Sequence, residues 1–150
     1  MKKMILPLCF AIAIVLLPAS AAQGNAQDVA LKAKINFSFN VCREQLPAGT
    51  YTVKHPAGNS RLLVIQSEDN RSIDIACVND MQSPNRPAQG QLIFTRYGDQ
   101  YFLAEAWWPG DTMGHSLVKS EKEQALIKEY GITPSKKPEK VTIKLAKPKK

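Results

Sequence analysis

Two runs rich in β-branched and aromatic residues, Leu92 to Tyr97 and Gln100 to Trp108, stand on either side of Gly98-Asp99, and few local patterns restrict a chain more. A glycine at the first position of a two-residue loop takes the positive φ of a type II′ turn, so the pattern predicts a β-hairpin. The register follows from the loop. Phe94 faces Leu103 and Arg96 faces Tyr101 on one side, while Thr95 faces Phe102 and Ile93 faces Ala104 on the other. The stretch from Gln91 to Gly110 also holds Phe94, Tyr97, Tyr101, Phe102, Trp107 and Trp108, more than half of the aromatic side chains in the chain. With apolar residues on both faces, the hairpin belongs in the middle of a sheet covered on both sides or in a closed barrel. Pro109 ends the second strand because it has no amide to give the ladder.

Trp107 and Trp108 are adjacent, and successive strand residues point to opposite faces. One enters the main core. For the other, two placements are open: exposed, where with Tyr97 and Tyr101 it would meet a sugar ring or a partner protein, or covered by the C-terminal segment.

The remaining pattern is that of a small β domain. Lys34 to Val41 alternates, with Ile35, Phe37, Phe39 and Val41 toward the core and Asn36, Ser38 and Asn40 toward solvent. Leu46-Pro47-Ala48-Gly49 is a turn, followed by a strand over 50–54 with Tyr51 and Val53 inward. The run Arg61 to Gln66 is apolar on both parities and reads as a central strand. Arg71 to Val78 sets Ile73, Ile75 and Cys77 against Ser72, Asp74 and Ala76. The proline-bearing stretch from Asn79 to Gly90 reads as the longest loop before the hairpin and a place where binding residues can sit. Ser120-Glu121-Lys122-Glu123 is a capping box that opens a helix through Tyr130, with Gly131 as its C′ residue and Ala125, Leu126, Ile127 and Tyr130 as its apolar stripe. The fold expected is all-β, a small sandwich or barrel of about six to seven mostly antiparallel strands, with one C-terminal helix.

Met1 to Ala22 has the order of a secretory signal: two lysines, an apolar run and small residues at the end, with cleavage after Ala21 or Ala22 or as late as Ala26. The β domain with its helix then spans 33–131, and 132–150 is a Lys/Pro-rich, partly disordered tail with an edge strand at 141–145. No other apolar run is long enough to span a bilayer. The location expected is the periplasm or the outside of the cell. Such a compartment is oxidising, and Cys42 and Cys77, the pair left after the signal, read as a disulfide.

The formal charge of +7 is concentrated at the ends. Lys2 and Lys3 leave with the signal, and Lys136, Lys137, Lys140, Lys144, Lys147, Lys149 and Lys150 against Glu139 make the tail basic. The part between is near neutral and shows no evident basic face for specific nucleic-acid binding. Any attraction to an anionic envelope surface belongs to the tail.

The chain carries no phosphate loop, no paired His/Glu metal spacing and no nucleophile elbow, so no catalytic residue, metal ligand or cofactor is assigned. Carboxylate pairs such as Glu105 with Asp74 or Asp99 arise by chance in a chain with thirteen acids. His55 and His115 each stand alone in a turn-like context, and Glu121, Glu123 and Glu129 read as a solvated helix face.

The sequences Leu46-Pro47-Ala48-Gly49-x-Tyr51-x-Val53 and Arg96-Tyr97-Gly98-Asp99-Gln100-Tyr101-Phe102-Leu103, with Phe37-x-Phe39, Val41 and Trp107, resemble a family of small exported bacterial proteins of unknown function, over about 35–124. The resemblance implies a signal peptide and a compact β domain, and no activity. Cys42, Cys77 and the lysine tail depart from its pattern. The function expected is an exported, non-catalytic envelope or secreted protein that contacts a protein partner. The alternative is a module that binds a glycan or small apolar ligand through Tyr97, Tyr101, Trp107 and Trp108.

Overall fold

The computed structural model describes residues 30–56, 61–69, 73–85, 87–133 and 135–147, and at 73–75 and 77 the backbone only. The signal-sequence reading of 1–22, the side chain of Cys77, and Lys149 and Lys150 lie outside these. Among the described residues the strands are β1 (Leu31–Ile35), β2 (Phe39–Val41), β3 (Glu44–Leu46), β4 (Gly49–Lys54), β5 (Leu62–Ser67), β6 (Ile73–Gln82), β7 (Gln91–Tyr97), β8 (Gln100–Trp107), β9 (Met113–Leu117) and β10 (Glu139–Lys144). One helix, α1 (Glu121–Glu129), precedes β10.

The strands form two mostly antiparallel layers packed as a sandwich. The first layer runs β1–β4–β5–β6 and the second β6–β9–β8–β7–β10, with β2 and β3 beside the first half of β8. The β2–β8 pair is parallel. Strand β6 belongs to both layers: Ile73 to Cys77 pair with β5, and Val78 to Gln82 pair with β9. At the opposite edge Lys32 and Ala146 exchange both backbone hydrogen bonds, at 2.7 and 2.8 Å. That seam is a single residue pair, so the layers meet at both edges without the continuous pairing of a barrel.

Apolar residues from both layers fill the space between. Phe39 meets the edges of Tyr51 and Phe94, with ring centroids 5.2 and 5.3 Å away, the geometry that opposes ring edge to ring face. The Tyr51 hydroxyl donates to the Pro47 carbonyl at 2.6 Å, so this buried phenol keeps a partner.

The layout is finer than the six or seven strands expected, for identifiable reasons. The alternation over Lys34 to Val41 is not one strand: it breaks at 36–38, and β1 starts earlier, with Leu31 and Ala33 in the core. The break sends β1 to the first layer and β2 to the second. Asn40, expected to face solvent, is buried. Its Nδ2 donates to the Tyr101 carbonyl and its Oδ1 accepts from Lys122 Nζ, both at 3.0 Å, which ties β2 to β8 and to α1. In β6 the buried residues include Ala76 and Val78, and the strand runs on to Gln82, so the loop expected from Asn79 starts only at Ser83. Strand β9 was not expected, because Gly114 and Ser116 dilute its alternation. Strand β10 begins two residues before the edge strand read from the sequence and pairs with β7 over its whole length. Leu145, just beyond it, is 2% exposed, so the β domain does not stop at 131.

The hairpin turn and the helix follow the sequence closely. Gly98 has φ +57°. Ser120 Oγ accepts from Glu123 N at 3.2 Å, and Gly131, at φ +58°, ends the helix. Helix α1 lies on the outer face of the second layer, where Leu126 packs against Tyr97 and Phe102. The apolar stripe is narrower than read: Leu126 is buried and Ile127 half-buried, while Ala125 and Tyr130 are exposed.

Candidate functional site

The outer face of the second layer has two halves. Helix α1 covers one, and the other is a groove of about 540 Å³ beneath the loop between β6 and β7, lined by Ser83, Asn85, Pro87, Ala88, Gln89, Gln91, Ile93, Glu105, Trp107 and Lys144.

A single irregularity in β8 creates the chemistry of this groove. The hairpin keeps the expected register at Phe94↔Leu103, Thr95↔Phe102 and Arg96↔Tyr101, but it shifts between Ile93 and Phe94 so that Ile93 opposes Glu105 and not Ala104. One extra residue in a strand reverses the facing of every residue beyond it. Without that bulge, Glu105 and Trp107 would point into the core and Ala106 and Trp108 away from it. With it, Ala106 and Trp108 join the core, and Glu105 and Trp107 stand outside. Partners across an antiparallel ladder share a face, which gives two rows: Lys144, Gln91, Trp107 and Gly114, then Thr142, Ile93, Glu105 and Ser116.

The acid in this face is held from both sides. Glu105 Oε2 accepts from the Trp107 indole at 3.0 Å, and Oε1 accepts from Lys140 Nζ at 2.7 Å. Lys144 brings a second ammonium, and among the described residues no carboxylate pairs with it. The loop above is pinned at several points: Ser83 N donates to Thr112 O at 2.9 Å, Gly110 N to Pro87 O at 2.8 Å, and Gln89 Nε2 to Leu145 O at 3.1 Å. Gly90 closes it tightly, since a Cβ there would lie 2.9 Å from Leu31 Cδ1 and 3.2 Å from the Trp107 carbonyl. The wall of the groove is therefore built before any ligand arrives.

The aromatic residues named from the sequence do not form one exposed platform. Trp108 is in the main core, and Tyr97 lies under α1 with its hydroxyl donating to Glu123 Oε1 at 3.1 Å. Tyr101 is half-buried, stacked on Phe37 at 4.0 Å with the Arg96 guanidinium over it at 5.4 Å. Trp107 reaches the groove but is 6% exposed, so it offers an edge and not a stacking face. The covered placement thus holds for both tryptophans, although β9 and the loop, not only the C-terminal segment, supply the cover.

Glu123, read as part of a solvated helix face, is buried against Tyr97. Burial raises its pKa, and the Tyr97 hydroxyl and Lys119 offset only part of that. The tyrosine is raised in turn by its own burial and by the carboxylate beside it. The lysines of the C-terminal segment divide. Lys140 is held by Glu105, Lys136 Nζ donates to the Tyr130 carbonyl at 2.9 Å, Lys144 faces the groove, and Lys137 and Lys147 are exposed. Cys42 is half-buried in the turn between β2 and β3, at φ +52°. Cys77 sits on β6 opposite Leu62.

The histidines, read as solitary, are brought together. His55, just after β4, and His115, on β9, have ring centroids 4.5 Å apart, and both stand edge-on to Trp108 at 5.6 Å. Asp80 faces His115 across the β6–β9 ladder. No local spacing announces this cluster, because packing of one layer on the other assembles it. Among the described residues, no group of three or more His, Cys, Asp and Glu is placed to hold a metal ion, and no helix is long and apolar enough to cross a membrane.

No family model matches the chain, and neither a curated protein nor a solved structure shows significant similarity to it.

Proposed function

We propose that this is an exported, non-catalytic binding module of the periplasm or cell exterior that holds an acid-bearing saccharide in the groove between the β6–β7 loop and the outer face of β7, β8 and β10. The observation that carries the reading is the bulge in β8, which sets Glu105 and Trp107 on the same face as Gln91 and Lys144. Side-chain amides, a carboxylate and a hydroxyl offer paired donors and acceptors to neighbouring sugar hydroxyls, while the edge of Trp107 adds only apolar contact. A pocket of a few hundred cubic ångströms with a few convergent polar groups is typical of a small-ligand site. The charges favour an anionic ligand, because Lys140 already meets the charge of Glu105 whereas no carboxylate among the described residues meets Lys144.

Export rests on the pattern of residues 1–22, and a Cys42–Cys77 disulfide belongs to the same reading. Intact mass before and after reduction and alkylation tests that bond.

The test of the ligand is calorimetric titration of the purified protein with uronic-acid and neutral oligosaccharides of equal length, repeated on Lys144→Ala and Gln91→Ala. Binding of the acidic sugar, weakened roughly tenfold or more by either substitution, supports the reading; each lost charge-assisted contact corresponds to about 1.5–3 kcal/mol. Absence of binding across both series, or binding untouched by both substitutions, overturns it.

A further inference from the structure

The two histidines join the two layers. His55 follows β4 of the first layer and His115 belongs to β9 of the second; their rings lie 4.5 Å apart with a tilt of 36° between planes. Trp108 stands nearly perpendicular to each, at 89° and 80°. The three rings therefore form one contact cluster between the layers. His115 is 7% exposed. Asp80 Oδ1 lies 3.3 Å from its Nδ1 but off the line of a hydrogen bond, so that nitrogen is buried without an aligned partner.

We propose that His55 and His115 form an acid-released clasp between the sheets, shut on Trp108 when both imidazoles are neutral and opened when both carry a proton. Two positive rings 4.5 Å apart repel, and at His115 burial disfavours the charge as well. The charged and titratable groups that face His115 are Asp80 from β6, Asp111 from the β8–β9 connection and His55 from the end of β4. Burial, followed by His55, pulls its pKa below the usual imidazole range, and the two aspartates recover only part of the loss. On His55 the facing titratable group is His115, with Trp108 on its other side; the ammonium of neighbouring Lys54 is directed to Gln66 Oε1 at 3.4 Å. The folded state thus takes up its proton on His115 at lower pH than an unfolded chain does. Stability held above the ordinary imidazole range falls as pH drops through the folded value.

The chain has two histidines and two tryptophans, so spectra resolve the site residue by residue. The first experiment follows imidazole proton resonances and their nuclear Overhauser contacts to the Trp108 indole from pH 8 to pH 4.5 in the intact protein. The expected result is loss of the histidine–indole contacts as the second imidazole titrates. Contacts that persist after both rings are protonated overturn the clasp. The second uses Trp107→Phe, so that emission reports Trp108 alone, with and without His55→Gln. Emission should shift to the red on acidification, and the shift should vanish without the second imidazole. An equal shift in both proteins, or none in either, overturns the proposal.

Discussion

The ring of Trp107 fills the space that a side chain on Gly114 would need: a Cβ built there lies 2.4 Å from Trp107 Cε3 and 2.6 Å from Cδ2 and Cζ3. The two residues are ladder partners in β8 and β9, and the absence of a side chain lets the indole lie over Gly114 with only its edge reaching the groove. Gly114→Ala should therefore destabilise the protein by about 1–3 kcal/mol, the usual cost of overpacking, and should lift the indole off the sheet. Urea denaturation measures the first effect and acrylamide quenching of Trp107 the second. A variant as stable and as shielded as the parent would contradict the placement of the ring.

The buried pair between hairpin and helix gives a second prediction. Tyr97→Phe removes the donor that meets Glu123 Oε1 and leaves a buried carboxylate short of a hydrogen bond, at a cost of about 1–3 kcal/mol. Glu123→Gln should behave differently. Because the folded pKa of Glu123 is raised, the folded state binds its proton more readily than the unfolded chain does. That contribution is fully present below the unfolded value and is lost as pH rises through the folded one. The glutamine variant keeps an acceptor for Tyr97 and should remove this loss, so its stability between pH 4 and pH 8 should fall less than the parent's. Parallel profiles would show that Glu123 does not titrate in this environment.

How far the sequence reveals this molecule depends on how local each cause is. The Gly98-Asp99 turn, the burial of Tyr51 and Val53 and the capping box at Ser120 are decided by neighbours in the chain, and all are visible there. The bulge is not. From Leu103 to Trp108 each parity carries large apolar residues and Glu105 shares its parity with Leu103 and Trp107, so no single alternation suits the whole run, and burial of Ala106 and Trp108 against the first layer goes with the shifted facing. The groove inherits this blindness: Trp107 and the loop from Asn79 to Gly90 were singled out separately, Glu105 only as half of a chance carboxylate pair, and nothing local brings them together with Gln91. The histidine cluster was missed for the same reason, since residues distant in the chain meet only when the layers close.

Asn40 tests whether the buried polar link between β2, β8 and α1 matters. Asn40→Ala deletes both of its hydrogen bonds and leaves the Tyr101 carbonyl and Lys122 to find other partners. The expected loss is about 1–3 kcal/mol. Asn40→Asp should recover the contact to Lys122 but not the donor to Tyr101, and should fall between the two. Thermal denaturation of the three proteins gives the order, and an aspartate variant no better than alanine would mean that the lysine contact contributes nothing.

The basic C-terminal segment is a structural strand before it is anything else. All six residues of β10 pair with β7, Leu145 N donates to Gly90 O at 2.7 Å, and Ala146 closes the seam with Lys32. Burying Leu145 alone contributes about 1.5–3 kcal/mol, and loss of the strand would also remove Val141 and Ile143 from the edge of the core and leave the β7 backbone without its ladder partner. Against a total stability of about 5–15 kcal/mol, a chain ending at Thr133 should not hold the native sandwich. A truncation there cannot isolate an electrostatic role for the lysines, because binding and folding would fail together. Replacing the exposed Lys137 and Lys147 by Gln separates them: stability should stay within about 0.5 kcal/mol of the parent, while any salt-dependent attachment to anionic vesicles should weaken. Circular dichroism of the truncated chain decides the structural half of the argument, and a native spectrum with an unchanged melting temperature would refute it.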